Sequence, residues 1–124
     1  MRILCDRCKE VDPDPDERFL RVVDISPSDV AENPVYRGVG CSHCGAVGFR
    51  GRKAIFEMMK LNAEIRELAF NRESIDVIRN AAIRNGMRTL VQDGRTKILK
   101  GMTTPPEVAR FAQADTLTAA NIDI

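Results

Sequence analysis

"LCDRCK", residues 4–9, and "CSHCGAVGFRGR", residues 41–52, hold all four cysteines of this 124-residue chain, paired as Cys5 with Cys8 and Cys41 with Cys44. A Cys-x-x-Cys turn lets two thiolates converge on one edge of a tetrahedron, and two such turns close it. Zinc suits this set because it accepts four thiolates at about 2.3 Å without redox chemistry or a demanding geometry. With all four ligands supplied by the protein no position stays open for water or substrate, so the expected site is structural and not catalytic. Ahead of the second pair, "VYRGVGC" reads as a strand entering the knuckle, and Gly45 and Gly48 suit the tight turn after it. Arg7, Lys9 and Arg50 stand close enough in sequence to offset the negative charge of four thiolates around one Zn²⁺.

Free thiols, or two unrelated redox pairs, would also place cysteines here. A thioredoxin-like site, however, needs its pair at a helix start beside a βαβ pattern, and neither pair has that setting. His43, the sole histidine, could replace a cysteine as ligand; an exposed loop side chain is the plainer expectation, since four cysteines already satisfy the ion.

The rest of the composition points to a cytoplasmic chain of one domain or a compact unit with a small appended module. Apolar runs such as "AIFEMMKL" are too short and interrupted to span a bilayer, and "MRILCDRCKE" lacks a secretory apolar segment. In a reducing compartment a disulfide framework is disfavoured. Nineteen Lys and Arg against eighteen Asp and Glu give a formal charge of +1, so no basic field announces nucleic acid. The local cluster Arg50, Arg52 and Lys53 reads as a solvated strand edge.

Between the pairs, an acidic, Pro-rich turn leads into a short helix around Glu17–Val23, and Pro27 and Pro34 bound the stretch after it. Beyond the second pair, "GFRGRKAIFEMMK" favours a strand. From Asn62 the pattern becomes helical: Asn62 and Ser74 are expected N-caps, Gly86 a stop, Thr89 with Gln92 and Thr104 with Glu107 capping boxes, and Pro105 a first helical residue. Ile65, Leu68, Ile78, Leu90, Ile98 and Leu99 form apolar faces in surplus of one small cluster, and Gly94 inside its helix suggests close approach of another backbone. The expected fold is therefore α+β. A zinc-ribbon-like tetracysteine module with its following strand spans 1–60, a helical C-terminal subdomain spans 61–113, and a disordered tail spans 114–124. No phosphate-cradling loop and no nucleophile with a partnered base is visible, so this chain alone does not read as an enzyme.

Taken in order, "LCDRCK", "YRGVGCSHC", "GFRGRKAIFE", "EIREL", "GMRTLVQDG" and "GMTTPPEV" resemble the C-terminal region of the hexameric ATPases of type II secretion and type IV pilus assembly, from Leu4 to Val108. Lys53-Ala54 departs from that family's usual Thr-Gly. The resemblance implies a fragment lacking the RecA-like core, with a structural Zn²⁺ on Cys5, Cys8, Cys41 and Cys44, and with ATP and Mg²⁺ only in the longer parent. It also implies a homo-hexamer, a cytoplasmic location peripheral to the inner membrane, and a platform protein as partner. A free-standing zinc-ribbon adaptor or nucleic-acid-binding protein is the alternative; it needs a basic face that this composition lacks. A cochaperone-type zinc centre is a third, but Ala46 stands where that motif requires glycine.

Overall fold

Strand β1 (Arg2–Leu4) runs into the first cysteine pair and β2 (Lys9–Val11) runs out of it, while β3 (Tyr36–Gly38) enters the second pair and β4 (Phe49–Arg52) leaves it. These strands come from a computed structural model in which residues 1–111 are described. β1 pairs antiparallel with β4, Leu4 opposite Phe49, with an irregularity between Arg2 and Leu4. β2 pairs antiparallel with β3, Lys9 opposite Gly38 and Val11 opposite Tyr36. Each ladder joins an arm of one knuckle to an arm of the other, which brings the two cysteine turns together. The backbones approach so closely at Gly38 and Gly48 that a Cβ on either would strike the other's carbonyl group, and Gly48 also needs a φ of +85°. The strand expected through Phe56 ends at Arg52. Two further bonds, from the Lys53 amide to the Met1 carbonyl and from the Met1 amino group to the Lys53 carbonyl, extend the ladder; beyond them no described strand pairs with Ala54, and Ile55 packs against the core instead.

The spacer between the knuckles supplies much of that core. Helix α1 (Glu17–Val22) is capped by Asp16, whose carboxylate accepts the Arg18 amide at 2.9 Å. Helix α2 (Pro27–Glu32) opens on a reciprocal capping box between Ser26 and Asp29 with Pro27 in the first turn. Leu20, Val23, Ile25 and Val35 from this region are buried against Ile98, Val108 and Ala109. Each large apolar side chain so buried contributes roughly 1.5–3 kcal/mol relative to exposure.

Their partners come from helix α5 (Leu90–Leu99) and from a helical stretch over 105–111. α5 ends in a Schellman motif: Gly101, at φ +72°, donates to the Ile98 carbonyl and Met102 to the Lys97 carbonyl. Gly94 faces Val108, and a Cβ at position 94 would overlap the Val108 side chain. What approaches Gly94 is thus a side chain, where the sequence suggested a backbone. The segment between α5 and the last helical stretch lies along β1: Met102 accepts the Leu4 amide at 2.9 Å, and Thr103 Oγ1 donates to the Arg2 carbonyl at 2.9 Å. Only half of the capping box expected at Thr104 forms. Thr104 Oγ1 accepts the Glu107 amide at 3.3 Å, but the Glu107 carboxylate turns to Arg2.

The described residues divide into two compact units, 1–55 with 90–111, and Phe56–Thr89. The helices grouped by sequence into 61–113 are therefore shared between them, because the apolar faces of Ile98 and Val108 find their partners in the 20–35 spacer. In the second unit α3 (Ala63–Phe70), capped by Asn62, packs on α4 (Ile75–Arg84), capped by Ser74. Ile65, Ala81 and Ala82 form its core, with Leu68, Ile78 and Met87 around them. Glu64 ties the pair together, accepting from Arg84 Nη2 at 3.0 Å and Asn85 Nδ2 at 2.8 Å. In this unit Ile65 is fully buried, whereas Phe70 and Ile75 are 87% and 82% exposed. The expected tail, 114–124, lies outside the described residues.

Candidate metal centre

Two Cys-x-x-Cys turns carry the four cysteines. In the first, the Cys5 carbonyl accepts the amides of Cys8 (3.3 Å) and Lys9 (3.0 Å), and the Cys5 amide donates to Gly48 at 3.0 Å, tying the first knuckle to the second. In the second, the Cys41 carbonyl accepts the Ala46 amide at 2.8 Å. Gly45 and Ala46 both take positive φ, +64° and +63°, to complete this turn.

All four Sγ atoms lie within 4.8 Å of one another. Cys5 and Cys41 sulfurs are 3.8 Å apart, Cys8 and Cys44 are 3.8 Å apart, and Cys41 and Cys44 are 3.7 Å apart. A regular tetrahedron of sulfurs about 2.3 Å from a central zinc has edges of about 3.8 Å. The four are free thiols, with no disulfide among them. Donor set and spacing therefore fit a tetrahedral, thiolate-preferring metal, and the four side chains predicted from sequence are brought together as a group. His43 is not among them: its carbonyl accepts Arg50 Nη1 at 2.7 Å, which braces the second knuckle from outside.

The donors that reach a sulfur are backbone amides, while Lys9 and Arg50, suggested by the sequence, are engaged by carbonyl groups. Lys9 Nζ donates to the Gly101 carbonyl at 3.0 Å and lies 5.2 Å from the centre of the Tyr36 ring, so it closes the end of α5. Arg50 is engaged by His43. The acceptor role of Cys44 was not legible from spacing: its Sγ receives the amides of Gly48 at 3.2 Å and Cys41 at 3.3 Å. Burial alone would raise the Cys44 thiol, but these donors, Gly48 first, bring it down to about 6. Burial pushes the Cys8 thiol up to about 12, the Gly40 amide opposing and the neighbouring sulfurs adding to the rise. A positively charged ion at the centre favours the thiolate form of all four.

A mixed α/β chain with a tetracysteine, zinc-ribbon-like module followed by helices is the class that this geometry defines. The family described as type II/IV secretion system protein matches residues 1–110, and the chain belongs to it. It is 40% identical over 109 residues to the type IV pilus assembly ATPase PilB of Thermus thermophilus, covering 87% of this chain and 12% of that protein. It is 36% identical over 107 residues to the type IV pilus assembly ATPase PilB of Myxococcus xanthus, covering 86% and 19%. It is 32% identical over 116 residues to type II secretion system protein E of Aeromonas hydrophila, covering 93% and 22%. The chain thus spans 12% to 22% of the length of these relatives. Among the described residues no helix is long and apolar enough to cross a membrane.

Proposed function

We propose that this chain is the C-terminal, zinc-bearing part of a secretion or pilus-assembly ATPase. Its role is that of a structural and interaction module, which couples ATP-driven motion of a hexameric core to an inner-membrane platform protein. The observation that carries this reading is a four-sulfur centre inside a segment that aligns, over nearly all of this chain, with type IV pilus assembly ATPases and with type II secretion system protein E. Cys5, Cys8, Cys41 and Cys44 would hold one structural Zn²⁺. When bound, the ion supplies a cross-link between the knuckles and, with four protein ligands, leaves no position for substrate. ATP and Mg²⁺ belong, in this reading, to a RecA-like core in the longer protein, which works in the cytoplasm against the inner membrane. The contribution of this segment is rigidity: the paired ladders, the 12–35 spacer and α5 make one packed body on which a partner can bear.

The test is Cys41→Ser in the longer protein, with metal content, nucleotide affinity, oligomeric state and transport measured on the same variant. Metal and transport are expected to fall while nucleotide affinity holds. Normal transport with the metal absent would overturn the coupling role.

A further inference from the structure

The four thiols are not equivalent toward a reagent arriving from solvent. Cys5 and Cys8 are only 1% and 8% exposed, whereas Cys41 and Cys44 are half-buried. The two reachable sulfurs differ again. Cys44 Sγ already accepts two backbone amides, which draw on its lone pairs; among the described residues no backbone amide donates to Cys41 Sγ. A thiolate without such donors keeps more electron density on sulfur, and outer hydrogen bonds of this kind set ligand reactivity.

We propose that Cys41 is an oxidative modification site, attacked by hydroperoxides and then closed as a disulfide with Cys44. In the first step the Cys41 thiolate displaces hydroxide from the peroxide O–O bond, giving a sulfenic acid. In the second the Cys44 thiolate attacks that sulfur, the S–S bond forms and a second hydroxide leaves. Two protons taken up from the buffer convert both hydroxides to water, so two thiolates are oxidised by two electrons and one peroxide is reduced. Cys44 is the resolving thiol, although the Cys5 sulfur lies nearly as close, 3.8 Å against 3.7 Å. Cys5 is fixed by its amide bond to Gly48 and by the two amides on its own carbonyl. Cys41 and Cys44 share one short loop in which Ser42, Gly45 and Ala46 are exposed, so a bond between them closes within one knuckle, whereas a bond to Cys5 would join two. Loss of two of four ligands would release the metal. That consequence rests on the zinc reading, under which all four sulfurs are thiolates, and so does attack at Cys41 before Cys44; the choice of Cys41 and Cys44 over Cys5 and Cys8 rests on exposure alone.

The experiment takes the full reduced chain, measures its zinc, and adds hydrogen peroxide below one equivalent while a chelating dye follows metal release. Free thiols are blocked with light N-ethylmaleimide, disulfides are reduced and relabelled with the heavy form, and peptides are mapped. A parallel sample contains dimedone to trap sulfenic acid. The expected result is heavy label on Cys41 and Cys44, light label on Cys5 and Cys8, dimedone on Cys41, and zinc released in step with the disulfide. Equal or earlier oxidation of Cys5 or Cys8, or dimedone first on Cys44, would overturn the proposal. A chain that carries no zinc yet still forms the Cys41–Cys44 bond would defeat the metal reading and leave this site standing.

Discussion

Arg2 and Glu107 hold each other through main chain and side chain at once, across 105 positions of sequence: Glu107 Oε1 accepts the Arg2 amide at 3.0 Å and Oε2 accepts Arg2 Nη2 at 3.0 Å. The carboxylate is 5% exposed, and the guanidinium also lies over the Phe49 ring at 4.3 Å. Burial would raise the Glu107 carboxyl, but the Arg2 side chain and amide, aided by Arg110, hold it below its ordinary value. A depressed folded value means that the bond stabilises the fold fully above the unfolded carboxyl pKa, about 4.3, and fades as pH falls through the folded value. Glu107→Ala is expected to cost roughly 1–3 kcal/mol at pH 7, the range for losing a charged hydrogen-bond partner. Denaturant titrations at pH 7 and in the acid range check it: the gap between wild type and variant should narrow on acidification, and a constant gap would show that the carboxylate charge is irrelevant.

Gly94→Ala sets two effects against each other. Alanine is favoured over glycine inside a helix by up to about 1 kcal/mol, but the new methyl overlaps Val108, and overpacking costs typically about 1–3 kcal/mol. The variant is expected to be less stable than wild type. Adding Val108→Ala should recover part of the loss in a double-mutant cycle, and strictly additive effects would mean that the two positions do not touch.

These two contacts also mark where sequence stops being informative. The grouping of the four cysteines was legible because residue type and two-residue spacing are local facts, and α3 and α4 because Asn62 and Ser74 announce their caps. α2 had a readable signal, Ser26-Pro27 followed by Asp29, that the two prolines masked as a mere boundary. The bond from Glu107 to Arg2 had none, since local spacing pointed to Thr104. Nor did any periodicity reveal that Leu20, Val23 and Val35 would share a core with Ile98, or that Gly38 and Gly48 would meet. Those are long-range pairings, fixed by what the two knuckles bring together.

Ala46 sits at φ +63° in the second knuckle, a conformation that costs a residue with a Cβ about 1 kcal/mol or more. Ala46→Gly should remove that strain at the price of greater unfolded-chain freedom, giving a net change within about 1 kcal/mol and no loss of metal affinity. Gly48→Ala should behave oppositely, because its φ is also positive and its Cβ would meet the Gly38 carbonyl. Melting temperatures and metal content of the two variants decide the matter; equal tolerance at both positions would refute the close approach of the two backbones.

Chelation separates the two units. If the four thiolates hold zinc, its removal takes away binding free energy of roughly 10–16 kcal/mol, comparable to the whole stability of a domain. The amides that define the knuckles, those of Cys5, Lys9 and Ala46, should then exchange with solvent deuterium far faster. α3 and α4 keep a separate cluster of Ile65, Ala81 and Ala82 and the Glu64 bonds to Arg84 and Asn85, none of which involves the metal. Their helical amides are expected to retain the protection they had before chelation, and zinc added back should restore the knuckle amides alone. Hydrogen exchange read by mass spectrometry gives both halves in one measurement. Parallel loss of protection in α3 and α4 would mean that the second unit depends on the metal-bearing one for its fold.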